Sequence, residues 1–140
     1  MPTTDLDRAH LALDEQESIH LLHTTAIGRV AYSQAALPAI RAVSYTLRDG
    51  AVVIPARAGS ALARAVRGAV VAFEADSYDP AARTGWSVSV VGPSRVVPID
   101  RSEDPDSCLI VVQLGLVRGW RTTLSSSVDD TAPSVHDTCD

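Results

Sequence analysis

The apolar run Ala69-Val70-Val71-Ala72-Phe73 ends in Glu74-Ala75-Asp76, and a few residues later Trp86, Val88 and Val90 alternate with Ser87 and Ser89. The first pattern is that of a strand buried for most of its length, with its acidic end marking the exit to solvent. The second has the period of two that places apolar side chains on one face and hydroxyls on the other. A polar loop containing Asp79-Pro80 joins them. A chain carrying this pair must build a β core around it, and the serine face suits a wet cleft.

The flanking sequence supplies the rest of such a core. Asp14, with Glu17 three residues on, caps a helix predicted over residues 14–24, which Gly28 stops. Strands are predicted over residues 29–33, 39–47 and 51–54, with Asp49-Gly50 as the hairpin turn between the last two. Pro55 ends the third strand or confines it to an edge, because proline cannot donate a ladder hydrogen bond. Ser60 caps a short helix over residues 61–67, which Gly68 ends. Gly92-Pro93 marks a bulge in the fifth strand, residues 99–107 form an acidic loop, and a sixth strand runs over residues 108–114 and resumes through Arg121. Hairpin connections with one helical crossover predict a six-stranded antiparallel barrel over residues 1–124, whose closure removes exposed edges. The acidic residues 125–140 read as a disordered tail.

Composition narrows the function. At 140 residues the chain supports one core, and no apolar run approaches the ~18 residues of a membrane span. The first residues hold neither a basic region nor an apolar stretch, which predicts a cytoplasmic protein. A net charge of −5 argues against nucleic acid as a partner. All twelve cationic side chains are arginine, so Schiff-base chemistry on lysine is excluded and any anion must be held by Arg, hydroxyls or backbone N–H groups. With only Cys108 and Cys139 present, neither a disulfide framework nor a thiolate metal site has support.

The common nucleotide, hydrolase and zinc signatures are absent. His20 and His23 lie three apart on the first helix without a nearby third ligand, which leaves a solvated face as the simpler reading and no metal site. Gly115 and Gly119 have the spacing of a membrane dimer motif in a segment too short and polar for one. Arg57-Ala58-Gly59-Ser60 stands at a strand-to-helix junction, where N–H groups, a hydroxyl and a guanidinium could hold a phosphate or merely cap a helix.

In order along the chain, the first helix, Gly28-Arg29-Val30, Leu37-Pro38-Ala39, Asp49-Gly50, Gly59-Ser60-Ala61-Leu62, the strand at Val70 to Glu74 and Thr84-Gly85-Trp86-Ser87-Val88 resemble the pyridoxamine 5'-phosphate oxidase-like flavin-binding split-barrel family, of the small bacterial, nitroimidazole-reductase-like type. The resemblance implies a homodimer with flavin mononucleotide or a deazaflavin coenzyme in the interface cleft. It places the ring near Tyr45 and Ile54, with Trp86 and Ser87 lining the cleft. The family holds the phosphate with Arg-Thr, three variable residues, Ser or Thr, then Lys. Here those positions read Pro55-Ala56, Arg57-Ala58-Gly59, Ser60 and Ala61, so Ser60 alone matches, with Arg57 and Arg121 as substitute cations. Arg41 and Ala42 also replace a usual aliphatic residue and proline, and the segment between the fifth and sixth strands is shortened.

The implied function is flavin- or deazaflavin-dependent oxidation or reduction of a small organic molecule. No side chain is singled out as a catalyst. The alternative is a split-barrel descendant without cofactor, which binds, cyclises or isomerises a small metabolite, and a bound haem is a further outcome. The altered phosphate positions favour the alternative, while Gly59-Ser60 and the element at residues 84–88 favour the flavin.

Overall fold

The computed structural model describes residues 10–99 and 103–123. In chain order the elements are β1 (His10–Leu13), α1 (Glu15–Leu22), β2 (Ile27–Gln34), β3 (Leu37–Ser44), β4 (Thr46–Arg48), β5 (Ala51–Arg57), α2 (Ala61–Val66), β6 (Val70–Asp79), β7 (Thr84–Pro98), β8 (Ser107–Gln113) and β9 (Leu116–Thr123). All strand pairs are antiparallel, as expected for the split barrel. Among the described residues nine strands stand where six were predicted. Tyr45 divides the second run into β3 and β4, Leu114-Gly115 divides the last into β8 and β9, and β1 precedes the first helix. The predicted tail, residues 125–140, lies outside the described residues.

The strands follow the path β3-β2-β6-β7-β8-β5-β4, with β9 pairing to β7 and β1 to β9. β3 and β4 are the two ends of this path, yet only Tyr45 separates them in the chain. The sheet therefore curls until its ends meet. Tyr45 fastens that seam: its N–H donates to the Ala26 carbonyl at 3.0 Å and its hydroxyl to the Leu22 carbonyl at 2.6 Å. A phenol has one proton to give, so at the 2.5 Å contact with Thr25 it is the threonine that donates. The Tyr45 ring meets Phe73 edge-on, with centroids 4.7 Å apart. Burial, slightly offset by the Thr25 bond, raises the phenol pKa, which keeps the donating proton in place.

Inside the curl, Val30, Val52, Ile54, Phe73, Val88, Val90, Ile110 and Val112 are fully buried together with Leu22 of α1 and Val66 of α2. Each such side chain contributes about 1.5–3 kcal/mol relative to exposure. The caps are as predicted. Asp14 accepts from the Glu17 N–H at 2.8 Å, and Ser60 accepts from the Ala63 N–H at 3.1 Å.

Two local readings are corrected, and for Pro55 the second of its two alternatives, an edge position, holds. Gly28 does not stop the first helix; it lies within β2, where a Cβ would come 2.3 Å from Phe73 Cζ, so the glycine admits the aromatic ring. Pro55 does not end its strand, because β4 covers only Ala51 to Val53 and leaves that side of β5 an edge beyond them. No bulge interrupts β7 at Gly92-Pro93. Its register with β6 runs unbroken to Pro93 and its register with β8 begins at Ser94, so the strand changes partners without gaining a residue.

Two hairpins turn in two residues. Asp49 and Gly50 adopt φ of 53° and 73°, the left-handed pair such a turn requires, and Ala35 and Ala36 adopt 50° and 63° between β2 and β3. Left-handed backbone costs alanine about 1–2 kcal/mol, because its Cβ crowds the following carbonyl. Replacing Ala35-Ala36 with Asn-Gly should raise the free energy of unfolding by about 1 kcal/mol, part of the relief being lost to glycine's extra freedom in the unfolded chain. A higher urea midpoint with an unchanged slope is the expected result, and an unchanged midpoint would show the turn to be unstrained.

Candidate functional site

The register of β2, β3, β6, β7 and β9 sorts their outward side chains into rows. Ile40, Ala31, Ala72, Val91 and Leu116 are aligned across five strands, an apolar row on the outer face of the sheet. Ile40 is 73% exposed and Leu116 49%. The adjacent row is polar and reads Ala42, Arg29, Glu74, Ser89 and Arg118. Beyond it Asp76, Ser87 and Trp120 are aligned across β6, β7 and β9.

Arg29 joins the polar rows. Its Nε lies 3.0 Å from Glu74 Oε2 and its terminal nitrogen 2.9 Å from Asp76 Oδ1. Glu74 shares this arginine, so the two ends of the pair respond differently. The hydrogen bond to Glu74 is the largest effect on Arg29 and strengthens its hold on the proton, with both carboxylates adding to it against a burial penalty. Burial, then the hydrogen bond and charge of Asp76, raise the Glu74 carboxyl above its usual range, and Arg29 only partly offsets this.

At the end of these rows lies an open cavity of about 270 Å³, lined by Asp76, Ser77 and Tyr78 of β6, Gly85, Trp86 and Ser87 of β7, and Thr122 of β9. Here an aromatic surface adjoins hydroxyls and a carboxylate that Arg29 neutralises. Trp86 and Ser87, both predicted, share this cavity although they point to opposite faces of β7. Arg121 is Trp86's partner across the β7–β9 ladder.

The other predicted residues lie elsewhere. Tyr45 is 3% exposed and Ile54 fully buried, so both are core residues, out of reach of a ligand on the surface of this chain. Arg57 pairs with Ser107, just past the Cys108 that faces Pro98 at the far end of β7. Twelve residues of β7 separate Trp86 from Pro98, on the order of 40 Å of strand path. Arg57 and Ser60 are not among the residues that line the Trp86 cavity.

At the Arg57 end the donors are already engaged. Arg57 NH1 lies 2.9 Å from Asp104 Oδ2 and its Nε 3.3 Å from Asp106 Oδ2. The Gly59 N–H donates to Asp106 Oδ1 at 3.2 Å and the Ala58 N–H to the Asp106 carbonyl at 2.8 Å. Neither aspartate was singled out from sequence, where Asp104-Pro105-Asp106 read only as an acidic loop. Cys108 beside them is buried, and burial, followed by the charge of Asp106, raises its thiol pKa, so it stays protonated. Among the described residues no group of His, Cys, Asp or Glu could hold a metal, and no helix is long and apolar enough to cross a membrane.

A glutamate whose folded pKa exceeds its unfolded value stabilises fully below the unfolded value, and that stability is lost as pH rises through the folded one. Glu74→Gln removes this dependence. Relative to the variant, the wild type should be favoured at pH 4 and should lose that advantage towards pH 7. The change should be small, since about a third of the side chain faces water. Urea midpoints of both proteins across that range would decide it, and parallel curves would mean that the shift is absent.

This geometry has relatives. The FAD-binding protein of Mycobacterium smegmatis superposes with a TM-score of 0.68, is 28% identical in sequence, and the match covers 81% of this chain and 98% of that one. An FAD-binding protein of Mesorhizobium loti superposes at 0.67 over 81% and 99% of the two chains, and at 14% identity shows the fold alone. Among curated sequences, an uncharacterised protein of Mycobacterium tuberculosis is 46% identical over 90 residues, which are 61% of this chain and 59% of the relative. The match thus spans less than two thirds of that relative's length. A sequence profile described as pyridoxamine 5'-phosphate oxidase matches residues 14–133, nearly the whole chain. With the antiparallel split barrel, that match places the chain in the pyridoxamine 5'-phosphate oxidase family.

Proposed function

We propose that this protein binds a flavin-class coenzyme, whether flavin mononucleotide, a flavin dinucleotide or a deazaflavin, in a cleft between two copies of the chain, and uses it to oxidise or reduce a small organic molecule. The observation that carries this reading is the 28% identity to an FAD-binding protein over nearly all of that protein's length. Two features of the chain bear on the fit. The cavity at Trp86, Ser87 and Thr122 offers an aromatic surface and hydroxyls, which suit a flat ring with polar edges. The Arg57 junction does not fit a phosphate as it stands, because its guanidinium and amides are engaged by Asp104 and Asp106.

The bound ring would supply the hydride chemistry, and the chain would supply position and exclusion of water. A cleft between two copies needs a surface on which they meet. The apolar row from Ile40 to Leu116 supports the same arrangement, being a contiguous patch that a two-fold partner would cover. The filled junction favours a second reading, in which a metabolite occupies the cleft without any cofactor.

The visible spectrum of freshly purified protein, followed by fluorescence titration with riboflavin, flavin mononucleotide and flavin dinucleotide, tests the first reading. A flavin or deazaflavin spectrum, or saturable binding of at least one of the three, is expected. Colourless protein that binds none of them would leave the cofactor-free reading. Light scattering should give twice the 14.8 kDa chain mass, and Ile40→Asp with Leu116→Asp should give the single-chain mass. A monomeric wild type would rule out the shared cleft.

A further inference from the structure

We propose that Asp104 and Asp106 form an internal anion that closes the β5–α2 junction to phosphate, so that this chain gains nothing at Arg57 from a ligand's phosphomonoester. The inference rests on the flavin reading for the ligands that would feel it, but its geometry is independent of that reading. From Arg57 to Gly59, the loop before β8 engages two of the three guanidinium nitrogens and the amides of Ala58 and Gly59. Asp104 and Asp106 bind the guanidinium through two of its nitrogens, and Asp106 also accepts from the amides of Ala58 and Gly59. The loop is itself braced, with the Asp106 N–H donating to Asp104 Oδ1 at 3.0 Å. The Ser60 oxygen accepts from the Ala63 N–H, which leaves only its own proton to donate.

Charge and geometry agree. Two carboxylates span the one guanidinium, so a phosphate dianion arriving at Arg57 meets their charge where a lone Arg57 would only attract it. The contacts are made by partly exposed groups, with Arg57 at 65% and the aspartates at 41% and 42%, and each ion pair is individually weak. Closure therefore acts by engaging donors and countering the charge of Arg57 rather than by sealing a cavity. Replacing both carboxylates by amides keeps the shape, removes both negative charges and frees the cation.

Two measurements test this on the full chain. In the wild type, flavin mononucleotide and riboflavin should bind with dissociation constants within about threefold of each other, while Asp104→Asn/Asp106→Asn should prefer the mononucleotide by about tenfold or more, the effect of one charge-assisted contact. Inorganic phosphate, followed by the Gly59 amide and the Arg57 side-chain Nε resonances, should leave the wild type unmoved and produce a saturable shift in the double variant. Asp104→Asn alone, which leaves Asp106 on the amides, should fall between them and serves if the double variant does not fold. A loop anchored only for stability would lower the melting temperature of the variants without changing either readout, and that result would overturn the proposal. So would a wild type that prefers flavin mononucleotide over riboflavin tenfold and loses the preference in Arg57→Ala. If no flavin binds any of these proteins, the functional reading fails, and the phosphate titration still decides the closure.

Discussion

The long strand β7 governs the architecture. Over its first ten residues it lies beside β6, with β9 on its other side, and from Ser94 onward it pairs with β8. One strand thus belongs to both halves of the barrel, and each half places its functional features at a different end. The crossing is tight. A Cβ on Gly92 would lie 2.0 Å from the Gln113 carbonyl oxygen, and one on Gly115 would lie 2.6 Å from that of Val91. These two glycines let β8 leave and β9 enter beside the same strand. The exchange of partners puts the Trp86 cavity and the Arg57 junction at opposite ends of a single path.

Local chemistry was legible in the sequence wherever a few neighbouring residues decide the outcome. The Asp14 and Ser60 caps, the Asp49-Gly50 turn and the alternation of Val88 and Val90 with Ser87 and Ser89 all appear where the residues place them. The Ala35-Ala36 turn carried no such signal, since alanine is not a left-handed residue and the turn is imposed by the strands it joins. Gly28 misled for the converse reason. A glycine after a helix reads as a stop, whereas this one makes room for Phe73, 45 residues away in the chain.

The site was less legible than the fold because its parts are set by contacts distant in sequence. The resemblance sets Tyr45 and Ile54 at the cleft, but closure of the sheet turns them inward, and the tyrosine hydroxyl is used to tie β3 and β4 to α1. Asp106 reaches Gly59 across 47 residues, and no local pattern marks an acidic loop residue as the occupant of an anion-binding corner. Arg29 and Glu74 are paired only by the register of β2 against β6. Composition did carry one part of the answer, namely that arginine, hydroxyls or backbone N–H groups would have to hold whatever anions the chain binds.

Arginine does so in the same way twice. Arg29 reaches Glu74 and Asp76 on the sheet face, and Arg57 reaches Asp104 and Asp106 at the junction, each guanidinium spanning two carboxylates with different nitrogens. The planar fork makes this possible, where an ammonium would offer one point of charge. An exposed pair of this kind contributes only about 0–1 kcal/mol. Its structural effect is larger than that figure suggests, because without the arginine two like charges would face each other at close range. Both cations are therefore spent on the chain's own acids, which keeps neighbouring carboxylates in place but leaves neither arginine free to recognise an incoming anion. A fold that its relatives use to hold flavins is retained here, while the charge at one corner of it has been turned inward.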